Sequence, residues 1–283
     1  MDRWRSLATR VSNSPDFGTR PRKQGPMLFG DRTIRSIADL LRAIESHRAK
    51  LARMPVWFRG CTDVGHELVP TIGRAPYGVQ SERALVNTFK QNAVQFITQR
   101  PPSEWEWVFL ARHHAVPTRL LDWTDSPLIG LYFAVNSHPN QSKNDAKDGA
   151  LWLLLPTILN KEANIELADE RALPIFEDED DYLHNYLPTT LAKEQQSRLT
   201  PAAGIAIRHS LRMQAQHSVC TVTHRDQVAI DTIGTGRHIG RYIVPAGRKT
   251  HLRRQLDDLK INQLTVFPEL DNAALLARRP YGG

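Results

Sequence analysis

Arg59 closes a short apolar run, Val56-Trp57-Phe58, and is followed by Gly60. An arginine at a strand exit puts a planar fork of donors at a sheet edge, and a glycine after it lets other atoms come close. Such a fork suits bidentate capture of phosphate or carboxylate. A surface arginine that merely ends a strand has the same sequence. A second group, Asp122-Trp123-Thr124 with Ser126, falls where a β-prone stretch, Thr118–Leu121, meets a helix start at Pro127. The free amides of a helix start favour anions. Trp123 offers a flat ring for stacking, and Thr124 and Ser126 add hydroxyls. In the competing reading Asp122 and Ser126 cap the helix and Trp123 is core. The pair His113-His114 invites a metal, but adjacent helical positions point about 100° apart and cannot easily share one ion. No metal site is expected, and His114 reads as orienting a substrate or a loop carbonyl.

Several chemistries have no motif here. There is no Gly-x-Ser-x-Gly elbow and no Gly-x-x-x-x-Gly-Lys-Ser/Thr phosphate loop. Two cysteines, Cys61 and Cys220, make neither a disulfide framework nor a Cys₄ zinc site. The formal charge of +7 and the pI near 9.6 fit a polyanionic partner, either nucleic acid or a dinucleotide, and also fit simple solubility. The densest basic run is Arg248–Arg254, without the interleaved aromatics of a single-strand platform. No apolar run approaches the roughly 18 residues of a membrane span, and no secretory signal is visible. A soluble, reduced, cytoplasmic protein with no membrane partner is expected.

The elements that must position these residues follow from periodicity. Residues 1–30 read as a loose basic arm. Ile37, Leu40, Leu41 and Ile44 form a helical stripe. A second helix turns Leu85, Phe89, Ala93 and Phe96 inward, and Ser103-x-x-Glu106 caps a third. Ser126-Pro127 opens a fourth. Ala150–Leu155 has no polar face and reads as a central strand. Residues 156–203 read as a helical insertion. Ser218–Val222, Gln227–Ile230, Arg241–Val244 and Leu264–Phe267 are strand-like, and Leu252, Leu256 and Leu259 stripe a late helix in which Arg248, Lys249 and Arg253 face solvent. The sum is an α+β fold.

Several of these segments share one resemblance. Trp57-Phe58-Arg59-Gly60, Leu68-x-Pro70-x-x-x-Arg74, the stretch His114-x-x-Pro117 to Leu128, Leu131–Val135, Arg212-x-x-x-Gln216 and Phe267–Asp271 resemble the FRG-domain family, over about residues 35–275. Taken as one domain, 31–283 would be the FRG domain. A more distant likeness is to the Arg–Ser–Glu class of ADP-ribosyltransferases. That likeness implies a compact, bent, mixed or split β-core surrounded by helices. It also implies NAD as substrate, for ADP-ribosyl transfer or NAD hydrolysis, in a bacterial toxin or anti-phage effector with a protein or nucleic acid as acceptor. By the same mapping Arg59, with Gly60, His114, Arg119, Asp122 and Trp123, would hold NAD. Glu269, Thr124 and Gln216 would be the catalytic set. A non-catalytic nucleotide sensor and a nucleic-acid-processing protein are the alternatives.

Overall fold

The computed structural model describes residues 27–51, 54–74, 77–136, 144–194 and 197–278. All but the last few residues of the 1–30 arm lie outside them. Two-residue alternation shapes the centre of the sheet. In β4 (Gly149–Leu154), Leu151 and Leu153 face one core while Ala150, Trp152 and Leu154 face another, so every residue is buried. The expected central strand is therefore present. β4 pairs antiparallel with β2 (Trp57–Cys61) on one side and β7 (Ile239–Val244) on the other. The short β1 (Arg32–Thr33) adds to β7 in parallel. β3 (Leu120–Thr124), β6 (Ser218–Val222) and β5 (Ala202–Gly204) form a second antiparallel ladder.

The two ladders meet at one residue pair. The full order is β1-β7-β4-β2-β3-β6-β5, yet β2 and β3 share only Phe58↔Thr124. Beyond that pair the strands part, so the mixed sheet is split in its middle.

Ten helices among the described residues surround it. α1 (Ile37–Leu51), α4 (Pro127–Val135) and α8 (Lys249–Asp258) cover one core, with Phe58 and Tyr242. α3 (Glu104–His113) joins a second core with Leu120, Phe176 and Tyr186. Residues 156–203, with α5 (Pro156–Glu162) and α6 (Pro188–Lys193), thus build that core rather than decorate it, because Ile165, Phe176, Leu183 and Leu187 have nowhere else to bury apolar area. α2 (Glu82–Ala93), α7 (Leu211–Ala215), α9 (Gln263–Val266) and α10 (Leu270–Arg278) complete the set.

Local chemistry explains the helix starts. Ser103, Ser126 and Ser210 accept from the amides of Glu106, Ile129 and Met213, with Pro127 at the first turn of α4. Other expectations fail for identifiable reasons. Leu41 is 56% exposed, because the buried stripe of α1 runs through Ile37, Leu40 and Ala43. Phe96 is 80% exposed, because α2 ends at Ala93 and a tight turn carries residues 94–96 outward. Gln227–Ile230 is not a strand, and Leu264–Phe267 lies mostly in α9, which Asn262 caps through the amides of Leu264 and Thr265.

Around the run 248–254, Leu252 and Leu256 are buried and Arg248 is exposed as expected, but two of the run's cations are spent on structure. Lys249 is 1% exposed and its Nζ donates to the carbonyls of Thr62 and Asn144, while Arg253 holds the carbonyl of Val135 and the carboxylate of Asp145. Neither side chain faces solvent freely, contrary to the amphipathic expectation.

Gly60 owes its identity to α4. A Cβ there would lie 2.1 Å from the Gly130 carbonyl oxygen and 2.2 Å from the Ala134 nitrogen, both backbone atoms that cannot swing aside. The glycine of the motif is what lets α4 lie directly on β2. Gly60→Ala should destabilise the fold by about 3 kcal/mol or more, at or above the upper end of usual overpacking. A urea-unfolding midpoint that stays at the wild-type value would contradict this.

Candidate functional site

Where β2 and β3 part, a cavity of ≈ 220 Å³ opens, lined by Arg59, Gly60, Asp122, Thr124, Arg212 and Gln216, among others. The Nη1 of Arg59 crosses the gap and donates to the Asp122 carbonyl, while its Nε is buried with no hydrogen-bond partner among the described residues. Asp122 is held by Arg112 from α3, whose Nε (3.2 Å) and Nη2 (2.6 Å) both donate to Oδ2. The other oxygen, Oδ1, is 3.9 Å from the Cys220 thiol. Arg112 also reaches the Thr71 hydroxyl at 3.0 Å, and Arg74 donates to the carbonyls of Glu67 and Val69.

The electrostatics follow from Arg112, Arg59 and Arg212 acting on Asp122, with Arg74 next to Arg59 and Arg112. Burial, then the charges of Arg59 and Arg112, lower the pKa of Arg74. Burial works to raise the Asp122 carboxyl, but Arg112, with Arg59 and Arg212 behind it, holds it below the usual aspartate range. Burial pushes both thiols up, Cys61 and, further, Cys220, so neither is a ready nucleophile. Mutual repulsion among Arg59, Arg74 and Arg112 is what an incoming anion would relieve.

At the rim, Arg212 stacks on Phe267 at 4.7 Å and pairs with Glu269 at 3.6 Å. Gln216 ends α7 and donates to the Val266 carbonyl, tying the α9 segment to the cavity wall. Thr124 lines the cavity, but its hydroxyl is already accepting from the Ser126 amide, which sets the turn into α4.

Arg59, Gly60, Asp122, Thr124 and Gln216 are therefore brought to one cavity. Glu269 lies at its rim with a half-exposed side chain and reaches it only through Arg212. Three sequence-based assignments need correction. Arg119 is 1% exposed, and each nitrogen of its guanidinium donates internally, to Glu82 and to the carbonyls of Thr223 and Tyr186, so it is out of a ligand's reach. Trp123 does line the cavity, but its indole is buried with Trp57 and Trp152 and donates to Thr221, so it cannot stack on a bound ring. His114 ends α3 and stacks on Phe89, and it does not line the cavity. Its neighbour His113 is the one that senses Arg212 and Glu269; its pKa is lowered first by burial and then by Arg212. Arg112 is a site residue that no sequence pattern singles out. Its partner Asp122 lies beyond the end of its helix, outside any helical spacing.

Among the described residues, no group of three or more His, Cys, Asp or Glu is placed to hold a metal, and no helix is long and apolar enough to cross a membrane. Residues 54–144 match the family model of the FRG domain, a stretch that takes in β2, α2, α3, β3 and α4. No curated protein and no solved structure matches the chain.

Proposed function

Since residues 54–144 place the chain in the FRG-domain family, we propose that the split between β2 and β3 is where it binds NAD or a related nucleotide and cleaves the nicotinamide–ribose bond. One observation carries this reading. Arg59 and Arg212 line the cavity, Arg112 holds Oδ2 of Asp122 from behind it, Asp122 is the one carboxylate lining the cavity among the described residues, and the Arg59 Nε is unpartnered. A pyrophosphate would supply the missing acceptors and relieve the repulsion. The hollow of ≈ 220 Å³ is smaller than the ~300–1,000 Å³ of a typical ligand pocket, so it suits one half of a dinucleotide, the other half lying across the open gap.

The chemistry asked of such a site is modest. The bond from ribose C1′ to the nicotinamide nitrogen breaks, the electron pair leaves with nicotinamide, and C1′ passes through an oxocarbenium-like state. A water or a side chain of the acceptor then bonds to C1′ and loses its proton. Asp122 is the carboxylate in reach: Arg112 keeps it ionised and engages only Oδ2, leaving Oδ1 to accept from a ribose hydroxyl and to oppose the developing positive charge. Glu269 serves at the rim by fixing Arg212. We place this activity in the cytoplasm, in a toxin or anti-phage effector with a protein or nucleic acid as acceptor. The toxin or anti-phage setting and the acceptor rest on family resemblance alone.

A second reading has its own support. Arg112 already neutralises much of Asp122, and Glu269 lies outside the cavity, which suits a nucleotide sensor without turnover. Calorimetric titration with NAD alongside a nicotinamide-release assay separates the two. Binding with release supports the enzyme, binding without release supports the sensor, and neither would end both readings.

A further inference from the structure

Positive charge also lies away from that cavity. Lys249 and Arg253 of the 248–254 run are consumed internally, leaving Arg248 and Arg254 exposed there, and another basic surface is on α2. A hollow of ≈ 450 Å³ between α2 and the start of α3 is lined by Arg83, Lys90 and Arg100. Among the described residues none of the three is paired with a carboxylate. Glu104, the acid in the same hollow, is engaged by the amide and hydroxyl of Thr189. Lys90 lies over the Trp107 ring at 5.6 Å, which keeps the ammonium at the wall rather than ion-paired elsewhere.

Arg83 is also a wall of a second hollow of ≈ 440 Å³, which adds Arg198 and Arg225. The two together make a trough along α2. We infer that this trough is a binding surface for a single nucleic-acid strand. Arg83 and Lys90 stand seven residues apart, about 10 Å along the helix axis, and Arg100 lies beyond α2 on the same hollow. In the second hollow Arg225 is held by the carbonyls of Leu191 and Glu194 and Arg198 pairs with Asp226, so among the described residues the free cations of the trough are these three. A single phosphate would need these cations to converge on a point, whereas a strand presents phosphates in succession. Phe96, 80% exposed and four residues before Arg100, offers a ring on which a base can stack. The inference is independent of the NAD reading, since none of these residues lines the β2–β3 cavity.

Fluorescence anisotropy of the full chain with a labelled single-stranded oligothymidylate, over about 0.05–0.2 M salt, tests it. The expected result is saturable binding whose affinity falls with salt. In Arg83→Gln/Lys90→Gln/Arg100→Gln the slope of log K against log salt should shrink by roughly 2, at about 0.7 for each phosphate of the strand that is no longer neutralised. Nicotinamide release should be unchanged. Should the triple variant fail to fold by circular dichroism, Arg83→Gln and Arg100→Gln singly should each take about 0.7 from the slope. No binding by the wild type, an unchanged slope in the variants, equal affinity for the matching duplex, or full competition by polyglutamate would each overturn the inference.

Discussion

Truncating Arg119 to alanine is expected to cost about 3–5 kcal/mol of folding stability, the largest loss for any single arginine here. Its guanidinium is 1% exposed and donates to Glu82, which is 2% exposed, and to the carbonyls of Thr223 and Tyr186. Removing it strands a buried carboxylate and two buried carbonyls together. The Arg119 amide, which also donates to Glu82 at 2.7 Å, cannot neutralise that charge alone. Arg119→Lys keeps the charge but not the fork, so it should recover only part of the loss. Arg119→Met with Glu82→Leu should lose less than the two single changes summed, because neither partner is then left charged and alone. Urea unfolding at constant m reads the wild type, the single variants and the double variant. The folded fraction of Arg119→Lys should bind NAD as the wild type does. A selective loss of NAD affinity with stability intact would return Arg119 to the ligand site.

That arginine shows where sequence stops being informative. A buried arginine and a surface arginine are the same letter, and its partner Glu82 is 37 residues away, beyond any local spacing. β3 poses a related problem. Trp123 and Asp122 point to opposite faces, as alternation requires, but each face also carries a buried leucine, Leu121 beside Trp123 and Leu120 beside Asp122, so no pattern of polarity says which one holds the cavity. The tryptophan is core and the aspartate is site, the reverse of what ring stacking suggests. Strongly local signals are legible. Ser126-Pro127 opens α4, Ser103 caps α3, and the apolar run at 150–155 is the central strand. Arg59 and Gly60 are legible together because the glycine must admit α4 and the arginine stands where the sheet parts. Arg112 is invisible in the sequence, since its meeting with Asp122 exists only once α3 lies against the split.

Replacing Asp122 by asparagine separates it from Glu269, the carboxylate that the transferase likeness puts in the catalytic set. If Asp122 opposes the charge developing on ribose, Asp122→Asn should lower turnover roughly 10²–10³-fold, the range for removing one preorganised electrostatic partner. The Michaelis constant should change far less, because ground-state NAD lacks that charge. Glu269→Gln should lower turnover only severalfold, since the lost charge lies outside the cavity and acts through Arg212 at 3.6 Å. The pH profile supplies a readout that a purely structural role would not move. Arg112 holds the Asp122 carboxyl below its ordinary value of 3.8, so this group stays ionised as pH falls through 5 and 4. Its contribution to stability is likewise complete above 3.8 and fades only as pH drops through the lower folded value. An acid limb at ordinary carboxylate pH that disappears in Glu269→Gln would move the catalytic role to Glu269. A wild-type limb unaffected by either change, with turnover intact in Asp122→Asn, would leave the cavity a nucleotide sensor in which Arg112 and Asp122 only shape the anion site.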